Sequence, residues 1–450
     1  MKTREIFLLL LIILVGLAIS VYYSGRIHFL ELNWPEFLVE GESFSFEETK
    51  RIEPPLPELL AVNNPRGEVI VNPGESENIE IYWEKQVWAR NEDEARRKAE
   101  KISLQTEKTA SELVVKPFQP EGEKIRYRSN LRIIAPASLA LNIENSHGLV
   151  SLAGFKKARV HNAHGQVKVS HLAGELLINN RHGDISLDDI GGPVEIFNRH
   201  GEIVILKALE KVKIEASYGH LDIDEAAGGL EIKAEHLSVS GRRIKGPADI
   251  STSYEPVDLK EIGAARISNR YGLVRIDGAR GELTIENRYS PIEITNLEGN
   301  LSLSGKNTRI RGQSIRGQVI NIDTSYDNVE LEDFEGETSI FIRHGNVSAQ
   351  PASLKFKFNF EGSYSSLRFL WPAAEKASTE ISVRSGKILW QLDEPVNQFE
   401  SNGETILRAF WNDKTAPLVR IKTSYGQVAI AKADRQAQKK PYLSLAWWMR

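Results

Sequence analysis

The stretch INNRHGDISLDDIGGPVEIFNRHGEIVI, Ile178 to Ile205, contains the tetrad Asn-Arg-His-Gly twice. His182 and His200 are 18 residues apart, as are Gly183 and Gly201. A repeated tetrad reads either as a duplicated site or as one corner of a coil that recurs. The rest of the chain decides. With the glycine as the zero of each unit, the slot falls at Gly148, Gly165, Gly183, Gly201 and Gly219. It continues at Leu237, Glu255, Gly272, Ser290, Thr308, Asp327 and Gly345, so 11 intervals span 197 residues, or about 18 per unit. A ring precedes the slot at His147, His164, His182, His200, Tyr218, His236, Tyr254, Tyr271, Tyr289, Tyr326 and His344. Asn307 interrupts the row once.

Apolar residues recur at +2, +4, +7, +11 and +13 from the slot, as in Ile185, Leu187, Ile190, Val194 and Ile196. Asp327 heads the same set in Val329, Leu331, Phe334, Thr338 and Ile340. Alternation at +2/+4 and at +11/+13 marks two short strands per unit. A unit of this size cannot bury five apolar side chains alone, but stacked units share one continuous core. The expected fold is therefore all-β: a single-chain β-solenoid, or β-helix, with about 18 residues per coil, preceded by an N-terminal transmembrane helix and a small α/β cap. The slot glycines Gly148, Gly165, Gly183, Gly201, Gly219, Gly272 and Gly345 are expected to take left-handed backbone at a tight turn. Calcium-binding β-rolls share the period, but their G-G-x-G-x-D string is absent. Hexapeptide helices have three equal sides, whereas this apolar pattern divides into two strands.

Composition sets outer limits. The 450 residues are 26% charged and 41% apolar, a folding composition. Net charge is 57 − 61 = −4, with no global basic excess to mark a nucleic-acid binder. Cysteine is absent, so disulfides, thiolate metal sites and cysteine nucleophiles are excluded. Lys2 and Arg4 precede the uncharged run Ile6 to Tyr23, whose 18 residues span about 27 Å as a helix. Its length and the interfacial Tyr22 and Tyr23 favour an uncleaved signal anchor over a cleaved signal peptide. The basic residues place the amino terminus in the cytoplasm and the solenoid outside the inner membrane.

The expected organisation runs in six parts. Residues 1–24 are a cytoplasmic stub and transmembrane signal anchor, and 25–60 a linker. Residues 61–145 are an N-terminal cap with the early unit VNNPRGEVIV and one helix, NEDEARRKAEKI, capped by Asn91. Residues 146–350 are regular coils and 351–432 irregular C-terminal coils, with units SYSSLRF, VRSGKILW and TSYGQVAI. Residues 433–450 are a basic and aromatic tail carrying Trp447 and Trp448, a terminal plug or a membrane contact.

The units VNNPRGEVIV, NSHGLVSLAG, NRHGDISLDD, NRYGLVRIDG and TSYGQVAIAK resemble the bacterial putative-adhesin β-strand-repeat family, a domain of unknown function in cell-envelope proteins. The resemblance covers about residues 61–430 and includes the helix and the strand IIAPASLALNI. It implies a β-solenoid on the outer side of a bacterial membrane and supplies no catalytic residues.

Four consecutive histidines, His147, His164, His182 and His200, are candidate zinc or copper ligands. Tyrosine fills the same slot in other coils, which favours a structural ladder of stacked rings. No metal or cofactor is assigned. Arg181, Arg199, Arg270, Arg288 and Arg343 form a second column, expected to pair locally with acids such as Asp184 and Glu202, or else to bind polyanions. Asn145, Asn162, Asn180, Asn198, Asn269 and Asn287 suggest an amide ladder that satisfies turn backbone. Asp188, Asp189, Asp222 and Asp224 are available for glycosidase or lyase chemistry, but no spacing singles out a pair. Neither G-x-S-x-G, H-E-x-x-H nor a Walker loop occurs. The expected function is a non-catalytic scaffold or adhesion surface with a protein or glycan partner. The alternative is a carbohydrate-active β-helix enzyme.

Overall fold

The computed structural model describes residues 41–120, 122, 124–372, 375–410 and 418–433. The chain winds as a stack of β-coils around one continuous apolar core. The five apolar positions of each unit point inward. Ile185, Leu187, Ile190, Val194 and Ile196 are at most 2% exposed, as are Val329, Leu331, Phe334, Thr338 and Ile340. Each fully buried side chain of this size contributes about 1.5–3 kcal/mol.

Each coil gives one strand to each of two parallel ladders. In the first, Ala140–His147, Lys157–His164 and Leu176–His182 pair in register, so that His147, His164 and His182 lie opposite one another. In the second, Val150–Ala153, Val167–Leu172 and Ile185–Ile190 pair in the same way. Four long strands, Val194–Ile205, Val212–Ala226, Ile310–Ser325 and Val329–Arg343, pass through a corner and serve both ladders.

The ends depart from sequential stacking. Strands Leu59–Asn64 and Val69–Gly74 form the first coil in the chain but not the first in space. It lies between Glu112–Phe118 with Tyr127–Pro136 on one side and Ala140–His147 with Val150–Ala153 on the other. The C-terminal end repeats the device. Val419–Ser424 and Gln427–Lys432 insert between the coil of Phe358–Ser363 and Ser366–Trp371 and the coil of Thr379–Arg384 and Lys387–Trp390. At each end the coil that is first or last in the chain is trapped between two others. Such a coil cannot fray without breaking two parallel ladders.

Antiparallel strands then close the outer edges, Glu404–Ala409 and Val396–Ser401 at one end and Ser103–Lys108 at the other. Covering an edge in this way removes a template for further pairing. The helix Glu92–Ala99 starts at Asn91, whose side chain accepts the Glu94 amide. It buries Ala95 and Ala99. Beneath it, Lys85 is 8% exposed, and its Nζ donates to the Ala99 and Ile102 carbonyls at 3.3 Å each.

Part of the expected linker is not irregular. Residues Glu42–Ile52 form a strand antiparallel to Ile79–Ala89. Alternation of Phe44, Phe46 and Ile52 on one face drives it, with Phe46 and Ile52 packed on the core. The anchor at residues 6–23 and the tail from residue 434 lie outside the described residues. Among the described residues, no helix is long and apolar enough to cross a membrane.

Candidate interaction surface at the ring corner

The corner row forms one file of stacked rings. From His147 through His164, His182, His200, Tyr218, His236, Tyr254 and Tyr271 to Tyr289, successive centroids are 4.4–5.3 Å apart and ring planes differ by 2–19°. The file resumes at Tyr326 and His344, 5.0 Å apart. It then includes two rings absent from the expected row. Tyr364 stacks on His344 at 5.0 Å and Tyr425 on Tyr364 at 4.7 Å. Both stand before a serine or glycine slot, a signal that was legible in SYSSLRF and TSYGQVAI. The spacing is the strand separation of a parallel ladder, so the rings inherit their stacking from the coil. The file faces solvent, with Tyr218, Tyr254 and Tyr326 exposed by 46%, 51% and 55%.

Two kinds of corner underlie this row. In five coils the slot glycine takes positive φ: 127° at Gly148, 135° at Gly165, 132° at Gly183, 137° at Gly201 and 138° at Gly219. From His236 onward the ring residue itself is left-handed, with φ of 50° at His236, 72° at Tyr254, 68° at Tyr271, 67° at Tyr289, 65° at Tyr326 and 56° at His344. That frees the following slot for Leu237, Glu255, Ser290 and Asp327. Gly272 and Gly345 therefore correct the expectation, because they lie outside the left-handed range. Space keeps them glycine instead: a Cβ at Gly272 would sit 1.9 Å from the Glu255 carbonyl oxygen, and at Gly345 2.1 Å from that of Asp327.

The stacked geometry opposes metal binding by His147, His164, His182 and His200. An imidazole lone pair lies in the ring plane, and zinc needs each nitrogen at about 2.0–2.1 Å. Near-parallel rings 4.8–5.0 Å apart aim their lone pairs side by side, not at one point. Among the described residues, no group of three or more His, Asp or Glu side chains is placed to hold a metal. The imidazole of His182 titrates below the ordinary histidine range. Desolvation is the first cause, followed by His164, His200, Arg181 and Arg199.

The amides lie beneath the rings. Asn162 is 1% exposed and donates to the Gly165 carbonyl at 3.0 Å and that of Gly148 at 3.4 Å, while accepting from Asn145 at 3.3 Å. Asn269 and Asn287 likewise each bind the carbonyl of their own corner and that of the preceding one. Each of these three amides thus ties two coils together at the turn.

The arginine column behaves differently from expectation. Arg181 and Arg199 form no ion pair among the described residues, because Asp184 turns to accept the Glu202 amide at 2.9 Å. Arg270 lies over the Tyr271 ring at 5.0 Å and donates to its hydroxyl, and Arg288 pairs with Glu286 on its own strand at 2.8 Å.

A second corner was not read from the sequence. Six residues past the slot, His171, Asp189, Glu225, Arg243, Glu261, Asn296, Ser314 and Asp333 all take φ between 52° and 72°. The residue types are too mixed to reveal a left-handed position. Side chains at and beside these positions link successive coils: Asp189 to Lys207 at 2.7 Å and His171 at 3.3 Å, Asp224 to Arg242 at 2.6 Å and also to Arg243, and Ser314 to Asp333 at 3.0 Å. Lys207, then His171, lower the titration of Asp189, and Arg242 lowers that of Asp224. A general acid in glycoside cleavage needs a raised carboxyl. These carboxylates are shifted the other way and are tied to structural partners.

No family model matches the chain, and no curated protein matches it. Among solved structures, it is similar to a "putative cell adhesion protein from Clostridium sporogenes ATCC 15579", at 8% identity, over 87% of this chain and 100% of that one, with a TM-score of 0.18. A similarity at that level bears on neither fold nor function.

Proposed function

We propose that the chain is a membrane-anchored, extracytoplasmic β-solenoid that serves as a non-catalytic scaffold or adhesion surface in a bacterial envelope. The observation that supports this reading is the exposed file of rings in strict coil register. A rigid rod that repeats one surface presents many weak contacts at high effective concentration. The anchor rests on the uncharged run Ile6 to Tyr23 behind Lys2 and Arg4.

Purified full-length chain incubated with immobilised envelope polysaccharides and envelope proteins tests the proposal. The expected result is retention, with no reducing ends or unsaturated products released. Bond cleavage would establish the carbohydrate-active alternative. Failure to bind any envelope component would overturn the adhesion role.

A further inference from the structure

The ring file has one gap. Asn307 stands where every flanking coil has a ring, between Tyr289 and Tyr326. The backbone does not change there. Asn307 has φ 52°, beside 67° at Tyr289 and 65° at Tyr326. The corner hydrogen bonds run on unbroken, from Tyr289 N to Lys306 O at 3.0 Å, from Asn307 N to Ser325 O at 2.8 Å and from Tyr326 N to Arg343 O at 2.8 Å. Only the side chain is missing from the stack.

Two coil steps separate Tyr289 from Tyr326, so their rings stand roughly 10 Å apart. One flat ring at the midpoint would lie about 5 Å from each, the spacing of ordinary strand neighbours. Elsewhere in the file the observed spacing is 4.4–5.3 Å. The Asn307 side chain is too short to reach past the base of the tyrosine rings. Its amide makes no hydrogen bond among the described residues, which leaves it open to the edge of an incoming group. Tyr289 and Tyr326 are 41% and 55% exposed, so the gap opens to solvent.

The charge beside the gap is positive. Lys306 is exposed and forms no ion pair among the described residues. Arg288 and Arg309 flank it, held by Glu286 at 2.8 Å and Asp327 at 3.6 Å.

We propose that this vacant rung is a binding site for a single flat aromatic ring carrying an anionic group, clamped between Tyr289 and Tyr326. Lys306 pairs with the anion, and the Asn307 amide meets the ring edge. The site lies in the same exposed file as the proposed function but does not depend on that function.

The test uses indole-3-acetate as probe and the full-length chain labelled with ¹³C-tyrosine. Binding shifts the Tyr289 and Tyr326 resonances, assigned through their Phe variants. Asn307→Tyr fills the rung with a residue that its neighbours carry at the same φ, so the variant folds and its melting temperature rises. It weakens probe binding by about tenfold or more. Lys306→Gln weakens binding several-fold. Cyclohexylacetate, with the same charge but no flat face, binds about tenfold more weakly than the indole. Absence of indole-3-acetate binding to the unaltered chain overturns the proposal, as does equal binding by folded Asn307→Tyr. Equal binding of cyclohexylacetate also overturns it. Polysaccharide retention is a separate readout, so its loss would sink the function proposed above without touching this site.

Discussion

Alanine at Gly183 should break the stack at one corner. Its Cβ would stand 2.2 Å from the Gly165 carbonyl oxygen and 2.6 Å from the carbonyl carbon. Both are backbone atoms, so no rotamer change relieves the overlap. Two coils must separate locally by about 1 Å to restore an ordinary contact. The hydrogen bonds between them, Gly165 N to His182 O at 2.8 Å and Val167 N to Asp184 O at 2.9 Å, then stretch past useful length. Losing two such bonds costs about 1–3 kcal/mol. The φ of 132° adds strain for any residue with a Cβ, of order 1–3 kcal/mol. The expected total is about 2–6 kcal/mol. Ser290→Ala provides the contrast. Ser290 occupies the equivalent slot and already carries a Cβ, which Tyr289 permits by taking the left-handed φ itself, so the change should cost no more than about 0.5 kcal/mol. Urea unfolding of the two variants measures both. A Gly183→Ala chain within about 1 kcal/mol of the unaltered protein would refute the corner argument. Equal losses in the two variants would refute it as well.

Other expectations follow from the same geometry. Asn162→Ala removes the amide that binds the Gly165 carbonyl in a buried turn and leaves Asn145 only its bond to the Gly148 carbonyl, and should cost about 1–3 kcal/mol by urea unfolding. Leu187→Ala empties a fully buried core position and should cost about 2–5 kcal/mol in the same assay. Stability should also depend on pH. Because His182 titrates below its unfolded value, the unfolded chain binds more protons as pH falls, and the melting temperature should drop below about pH 6.5. His182→Tyr, a ring the file already accepts at Tyr218, should flatten that dependence in a thermal scan from pH 7.5 to 5.5.

What was legible in the sequence was whatever the coil repeats with one residue type. Ile185, Leu187, Ile190, Val194 and Ile196 announced the core because every unit needs an apolar side chain at those positions. The ring row was visible because coil after coil places His or Tyr there, with Asn307 as the interruption. The second corner was not visible, since its left-handed position is filled by Asp, Glu, Arg, Asn and Ser and leaves no compositional trace. The glycine rule held for Gly183 and failed for Gly272, because the strain had moved one residue upstream to Tyr271. The pairing of Arg181 with Asp184 failed because spacing along a strand does not reveal that Asp184 turns towards the next coil's amide. The trapped coils at both ends were illegible for another reason. Local pattern identifies TSYGQVAI as a coil, but nothing local states that it inserts before VRSGKILW in space.

Engineered cysteine pairs test the stacking order most directly, because the chain has no cysteine of its own. Neighbours in a parallel ladder stand about 4.8 Å apart, inside the Cα separation that a disulfide accepts. Cysteines at His182 and His200, and separately at Tyr364 and Tyr425, are predicted to form intramolecular disulfides under mild oxidation. Cysteines at Tyr364 and Ser385, closer in sequence but two coils apart, are predicted not to. A disulfide between 364 and 385, or none between 182 and 200, would contradict the coil stack described here.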